Sequence, residues 1–322
     1  MAKAADPTGD LGTPGTDGEG ETVNITQKID KLRREKGALI LAHNYQITPI
    51  QDLADHRGDS LQLSVLAEQA QSKLIVFCGV RFMAETAAIL NPEAKVLLPV
   101  ADAGCPMADM ITAEQLIEFK AEHPGAKVVC YVNSSAAVKA ESDVCCTSSN
   151  AVKILRSFPK DETILFVPDQ NLGTWAAKQA KRKVIVWPGY CPVHQWGFTH
   201  RNLANLRASH PGFKLIAHPE CDEDIVAEAD EVLSTGQMEK YVAENDRLMI
   251  ATDATFTDYL KHIHPHKELV ALNNRARCRN MLKITLPDLL SALEKEKYEV
   301  KVDPDVARRA KRCLDRMLEL ST

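Results

Sequence analysis

Three cysteines, Cys105, Cys191 and Cys278, each follow a short apolar run (Val96 to Val100, Val184 to Trp187, Leu269 to Leu272) and stand 86 and 87 residues apart. A second series keeps the same period: polar triplets follow apolar runs at His43-Asn44-Tyr45, Tyr131-Val132-Asn133 and His218-Pro219-Glu220. A third runs through Ser60, Ser148 and Ser234, each serine in a turn ahead of a helical pattern. Common residue types can produce one such series by chance, but three in the same order at one period argue for internal triplication. A chain built this way has little choice of fold: one unit of about 87 residues, repeated.

Within each unit, apolar runs of four to six residues alternate with helical patterns, as in Ala38 to Ala42, Leu74 to Phe77 and Val96 to Val100. Near-continuous apolar strands separated by helices predict parallel sheets covered on both faces. The fold class is therefore α/β, as three three-layer α/β/α domains related by a pseudo-threefold axis around a central active site. The expected boundaries are 25–112, 113–199 and 200–294, with a C-terminal helix over 295–322 packing on the first unit. Residues 1–24 are rich in Gly, Pro, Thr and acids and read as a disordered tail.

In open parallel sheets, ligands collect at the carboxyl ends of the strands, where helix N-termini face them. All three marker series occupy those ends, so the sequence outlines one cavity. Pro106 and Pro192 follow their cysteines and suit a first helical turn, which places Cys105 and Cys191 where the helix dipole favours thiolate. Three thiolates from distant segments can hold zinc with water in a fourth place, or three irons of a 4Fe-4S cluster with the fourth iron open. Spacing alone leaves both open. The other cysteines read as packing residues, as free cysteine usually is. Cys78 and Cys130 close apolar strands, Cys313 lies on a charged helix, and Cys145 and Cys146 are adjacent; Cys221 is equally compatible with packing and with lining the cavity.

Other classes are disfavoured. A net charge of −5 with interspersed signs and an aromatic content of 5% give no nucleic-acid surface. No apolar stretch reaches the length needed to span a bilayer, and no secretory or transit signal is visible. The nine cysteines, an odd number in a long chain, suit a reducing, cytoplasmic setting. The His262, His264 and His266 run beside Lys261 and Lys267 reads as a solvated loop. No P-loop or dinucleotide fingerprint is present.

Seven ordered segments carry a specific resemblance: His43-Asn44-Tyr45-Gln46, Gly79-Val80-Arg81-Phe82-Met83-Ala84-Glu85, Ala103-Gly104-Cys105-Pro106-Met107-Ala108, Tyr131-Val132-Asn133-Ser134, Pro188-Gly189-Tyr190-Cys191-Pro192-Val193-His194, His218-Pro219-Glu220-Cys221 and Ser234-Thr235-Gly236. From about residue 25 to its end, the chain resembles the quinolinate synthases. The resemblance implies a 4Fe-4S cluster on Cys105, Cys191 and Cys278, with one open iron as Lewis acid. It implies condensation of iminoaspartate with dihydroxyacetone phosphate to quinolinate, phosphate and two waters. Iminoaspartate would come from an L-aspartate oxidase or dehydrogenase, and transient contact with that enzyme is an expectation. Tyr45, Tyr131, His218 and Glu220 match catalytic positions, and His43, Ser60, Tyr131, Asn133, Ser148, His218, Glu220, Ser234 and Thr235 match substrate-binding ones.

The chemistry agrees, since enolisation, imine formation and dehydration all need a polarised oxygen or a moved proton. His43 and His218 are expected to add charge-assisted hydrogen bonds to substrate carboxylates. Arg277 and Arg279 are expected to lower the Cys278 pKa, and His194 to support the metal ligands from behind. Ser60 and Ser234 serve equally well as plain helix caps. Two other readings of the residues are a cluster-dependent hydro-lyase and a cluster-bearing redox sensor.

Overall fold

The computed structural model describes residues 17–321, with side chains from residue 24 onward. Three four-stranded, all-parallel sheets account for the strands among these residues. The first unit contains α1 (Asp17–Lys36), β1 (Ala38–His43), α2 (Thr48–Leu53), β2 (His56–Gly58), α3 (Ser60–Gln69), β3 (Leu74–Cys78), α4 (Arg81–Leu90) and β4 (Lys95–Leu97). The second contains α5 (Ala113–Glu122), β5 (Lys127–Tyr131), α6 (Ala136–Ala140), β6 (Val144–Cys146), α7 (Ala151–Arg156), β7 (Ile164–Val167), α8 (Gln170–Ala180) and β8 (Ile185–Val186). After the short α9 (Pro192–Gly197), the third contains α10 (His200–Ser209), β9 (Lys214–Ala217), α11 (Glu223–Ala227), β10 (Glu231–Val232), α12 (Thr235–Glu244), β11 (Arg247–Ala251), α13 (Ala254–Ile263) and β12 (Glu268–Ala271). Strand orders β2-β1-β3-β4, β6-β5-β7-β8 and β10-β9-β11-β12 are the same order three times.

The strands form because they are buried on both faces: every residue of β3 and β7 is buried, as the continuous apolar runs require. The short edge strands are fixed by an aspartate that the repeat also copies. Asp55, Asp143 and Asp230 each donate a backbone N–H to the carbonyl of Ile40, Val128 or Leu215. Each then accepts that same residue's N–H on Oδ2, at 2.8, 2.8 and 2.7 Å. A two-point clamp of this kind sets register where only two or three ladder residues could do so.

Helix starts follow side-chain chemistry. Asp59, Thr112, Ser234 and Thr285 each build a capping box, while Ser135, Asp169, Thr199, Asp222 and Asp253 cap with a single side chain.

The C-terminal region corrects two expected boundaries. Helix α14 (Leu286–Lys295) packs on α1 and β3, so residues 286–294 belong spatially to the first unit. The following segment pairs antiparallel with the edge of the first sheet, Val300 donating to the Val96 carbonyl and Leu98 to that of Tyr298. The last helix, α15 (Pro304–Ser321), then lies mainly on α6 and β6 of the second unit and touches α4 of the first. Its buried stripe Ala310, Cys313, Leu314 and Met317 has helical spacing, Cys313 Sγ lies 3.2 Å from Cys145 Sγ, and Arg309 pairs with Glu141. The tail expected over 1–24 lies outside the described residues as far as residue 16, and from Asp17 the chain is already in α1. No helix among the described residues is long and apolar enough to cross a membrane.

Candidate active site

Strand ends from all three sheets face a single cavity. Its lining includes His43 at the end of β1 and Tyr45 just after it, Tyr131 at the end of β5 and Asn133 just after it, and His218 and Glu220 after β9. The turns after β4, β8 and β12 bring Cys105, Cys191 and Cys278. Ser60 and Thr235 open α3 and α12, and Ser148 lies in the turn just ahead of α7. The predicted convergence is therefore realised for these residues, with Ser234 as the exception. Its side chain is buried as the N-cap of α12, taking the Gln237 N–H, and its hydroxyl faces Asp59 Oδ2 at 3.4 Å.

The three thiols are half-buried and lie close enough to influence one another electrostatically. Burial pushes Cys105 up to about 12 and Cys278 up to about 11; burial and the Glu220 charge raise Cys191 well above the usual thiol range. In each case backbone N–H groups of the following turn oppose the rise: Ala108 and Met107 for Cys105, His194 for Cys191, Met281 and Asn280 for Cys278. The expectation that Arg277 and Arg279 depress the Cys278 pKa is thus corrected. Arg277 turns away to Asp258 at 2.7 Å, and burial dominates the thiol. Three soft donors in one cavity, each with N–H groups aimed at sulfur, fit a thiolate-bound metal, because a cation reverses both the burial penalty and the mutual repulsion. A second donor group overlaps them: Cys191, His194 and Glu220 present ligand atoms within 4.8 Å of one another.

Glu220 is the hub of the polar network. Tyr131 Oη donates to its Oε1 at 2.5 Å, and His194 Nδ1 lies 2.7 Å from Oε2. Burial alone would raise the Glu220 pKa. The adjacent His194 ring, with hydrogen bonds from His194 and Tyr131, outweighs it and holds the carboxyl well below the usual carboxylate range. Tyr131 and Tyr45 are pushed far up, first by burial and then by the Glu220 charge, so both keep their protons as donors. Thr252 joins the far side: its Oγ1 lies 2.6 Å from Tyr45 Oη and 2.9 Å from His194 Nε2.

The histidines correct another expectation. Burial lowers His43 to about 4 and His218 to about 3, so both rings are neutral near pH 7. His43 Nδ1 accepts the Tyr45 N–H and His218 Nδ1 accepts the Glu220 N–H, leaving the proton on Nε2 in each. They offer neutral N–H donors, and His218 already uses its own toward Ser148 Oγ at 3.2 Å. The buried Asn133 Oδ1 has no hydrogen-bond partner among the described residues, a polar atom at the cavity that a ligand would satisfy.

The solvated-loop reading of His262, His264 and His266 is corrected in part: His262 is exposed but lies in the last turn of α13, facing Asp52 at 3.3 Å, and only His264 and His266 belong to the turn that follows. Cys78, Cys130, Cys145, Cys146 and Cys313 are buried in the core. Cys221 is buried too, directing its thiol to the Ala251 carbonyl, and does not line the cavity. Thr252, Asp59 and Asp253 contribute to the site and escaped the sequence analysis. Asp253 and Asp169 follow β11 and β7 at a spacing of 84, but the first unit has Val80 at that place, so no threefold series announced them.

The chain is similar over most of its length to proteins of one family. A family model described as "Quinolinate synthetase A protein" matches residues 27–319. A quinolinate synthase of Dehalococcoides mccartyi (strain CBDB1) is 49% identical over 298 residues, covering 92% of this chain and 98% of that protein. One from Methanoregula boonei is 45% identical over 302 residues (93% and 99%), and one from Aquifex aeolicus 45% over 309 (94% and 95%).

Proposed function

Because the chain belongs to the quinolinate synthase family, we propose that it condenses iminoaspartate with dihydroxyacetone phosphate to quinolinate, phosphate and two waters, as a transferase of NAD biosynthesis. Cys105, Cys191 and Cys278 would hold a 4Fe-4S cluster, whose chemistry, when bound, is that of an open iron polarising a substrate oxygen. A cytoplasmic setting and supply of iminoaspartate by an L-aspartate oxidase or dehydrogenase belong to the same reading.

The observation that carries it is Glu220, an ionised carboxylate buried between two donors and within reach of the three-thiol face of the cavity. A carboxylate so held is a weak base at rest and becomes stronger when a substrate draws away the Tyr131 or His194 hydrogen bond. Tyr131, protonated and bonded to it, can pass its proton to substrate and be recharged from Glu220 once that carboxylate has itself taken a proton from substrate. Tyr45 is fixed by Thr252 and aims a second hydroxyl at the same space. Neutral His43 and His218, Ser60, Ser148, Thr235 and the amide of Asn133 supply donors for two carboxylates and a phosphate, and closure within protein excludes water.

The Cys191, His194 and Glu220 group supports a second reading, a single zinc-like ion acting in a hydro-lyase. One experiment separates the two. Anaerobically reconstituted protein is analysed for iron, zinc and sulfide and assayed for quinolinate beside iron-stripped protein. Quinolinate only from protein with a full cluster supports the first reading; zinc, no sulfide and no condensation support the second.

A further inference from the structure

The cysteine-bearing turns share one brace. Arg81, Gln170 and Ala254 each donate a backbone N–H, at 2.8 Å, to the carbonyl two residues before the cysteine, that of Ala103, Gly189 or Ala276. The residue just ahead of each donor is the helix N-cap: Val80, Asp169 and Asp253. Asp253 is fully buried and uses both oxygens. Oδ1 takes the Thr255 N–H at 2.8 Å, and Oδ2 takes the backbone N–H of Cys278 at 2.5 Å. Asp169, also fully buried, caps Leu172 through Oδ1 and leaves Oδ2 without a full hydrogen bond, near the Cys191 N–H.

Capping does not explain a buried carboxylate here. The same chain caps α5, α6, α10, α12 and α14 with Thr or Ser, whose single oxygen suffices. A carboxylate is expensive to bury, and what it alone adds is a second acceptor. In Asp253 that acceptor is spent on the cysteine. We propose that Asp253 is a positioning residue for Cys278, fixing the backbone of the third thiol so that the three-sulfur face is formed before metal arrives. Asp169 is its looser counterpart at Cys191, and Cys105 has none.

The inference rests on the cluster reading for its consequence, though the hold on Cys278 is a property of the chain itself. The test uses Asp253→Ser, which keeps a cap for Thr255 and removes the oxygen from Cys278. Asp253→Thr does the same and replaces it if the serine variant does not fold. Thr285→Ala, which removes a cap far from the thiols, is the control. Two rates are read on the full chain: chelator-driven iron release from reconstituted protein, and alkylation of Cys278 relative to Cys105 in iron-free protein, by peptide mass spectrometry.

D253S is expected to release iron about tenfold faster, as loss of a partner behind a metal ligand typically does. Its Cys278 is expected to alkylate severalfold faster relative to Cys105, with both rates unchanged in T285A. Wild-type rates in D253S, or equal acceleration in T285A, would overturn the proposal. If wild-type protein takes up no cluster, the cluster reading fails, and the alkylation rates still decide the role of Asp253.

Discussion

Two trios of histidine occupy this chain, and they could hardly differ more. His262, His264 and His266 lie within five residues of one another, yet they straddle the end of α13, where His262 meets Asp52 across the surface. His43, His194 and His218 are spread over 176 residues and come from different turns, yet all line one cavity. The His194 and His218 rings lie 4.8 Å apart. Nearness in sequence brings side chains together only where the backbone has somewhere to aim them. Parallel strands that end on a common axis supply that aim.

The comparison can be broken most forcefully at the carboxylate the buried trio surrounds. Glu220→Gln is expected to lower quinolinate formation about a thousandfold, the scale of lost general acid–base catalysis, while leaving the visible spectrum of the cluster intact. A near-normal rate would remove Glu220 from the mechanism. Next in size, His194→Ala deletes the ring linking Glu220 to Thr252 and is expected to slow turnover by about two orders of magnitude, whereas His264→Ala leaves steady-state rates unchanged. Equal losses in the two variants would erase the distinction between the trios.

Acid stability gives a finer test. His43 and His218 are depressed in the fold to about 4 and about 3, so the unfolded chain takes up their protons first as pH falls below the ordinary histidine value of about 6.5. Stability must therefore fall on acidification from about 6.5 toward 4, with the unfolded state binding more protons. His218→Gln is expected to flatten that slope by close to one proton in denaturant titrations run across this range. The smallest effect expected is that of His262→Ala on stability at pH 7, within about 0.5 kcal/mol, measured from the urea midpoint.

Much of this was legible in the sequence, and the exceptions share a cause. The triplication, the parallel sheets and the meeting of Cys105, Cys191 and Cys278 follow from spacing and apolar runs. Asp253 and Asp169 were hidden because Val80 breaks their series in the first unit. The arginines beside Cys278 misled because charge was counted along the chain, while the fold turns Arg277 toward Asp258 and buries the sulfur. Ser234 follows the serine period faithfully, yet a one-residue shift gives the cavity to Thr235 and leaves the serine as a cap. The resting places of α14 and α15 were illegible for another reason: an amphipathic helix announces that it will pack, without saying on which unit.

Those last two helices give the chain an order of completion opposite to its order of synthesis. The sheet that emerges first lacks α14 on one side and the Val300 segment on its edge until nearly three hundred residues have been made. The second unit waits still longer for α15. Of the three units, only the last finds its own covering helices already present when its final strand is made. A released chain lacking its C-terminal forty residues would thus hold a finished third unit and two unfinished earlier ones, so that a premature stop there would expose the beginning of the protein and not its end.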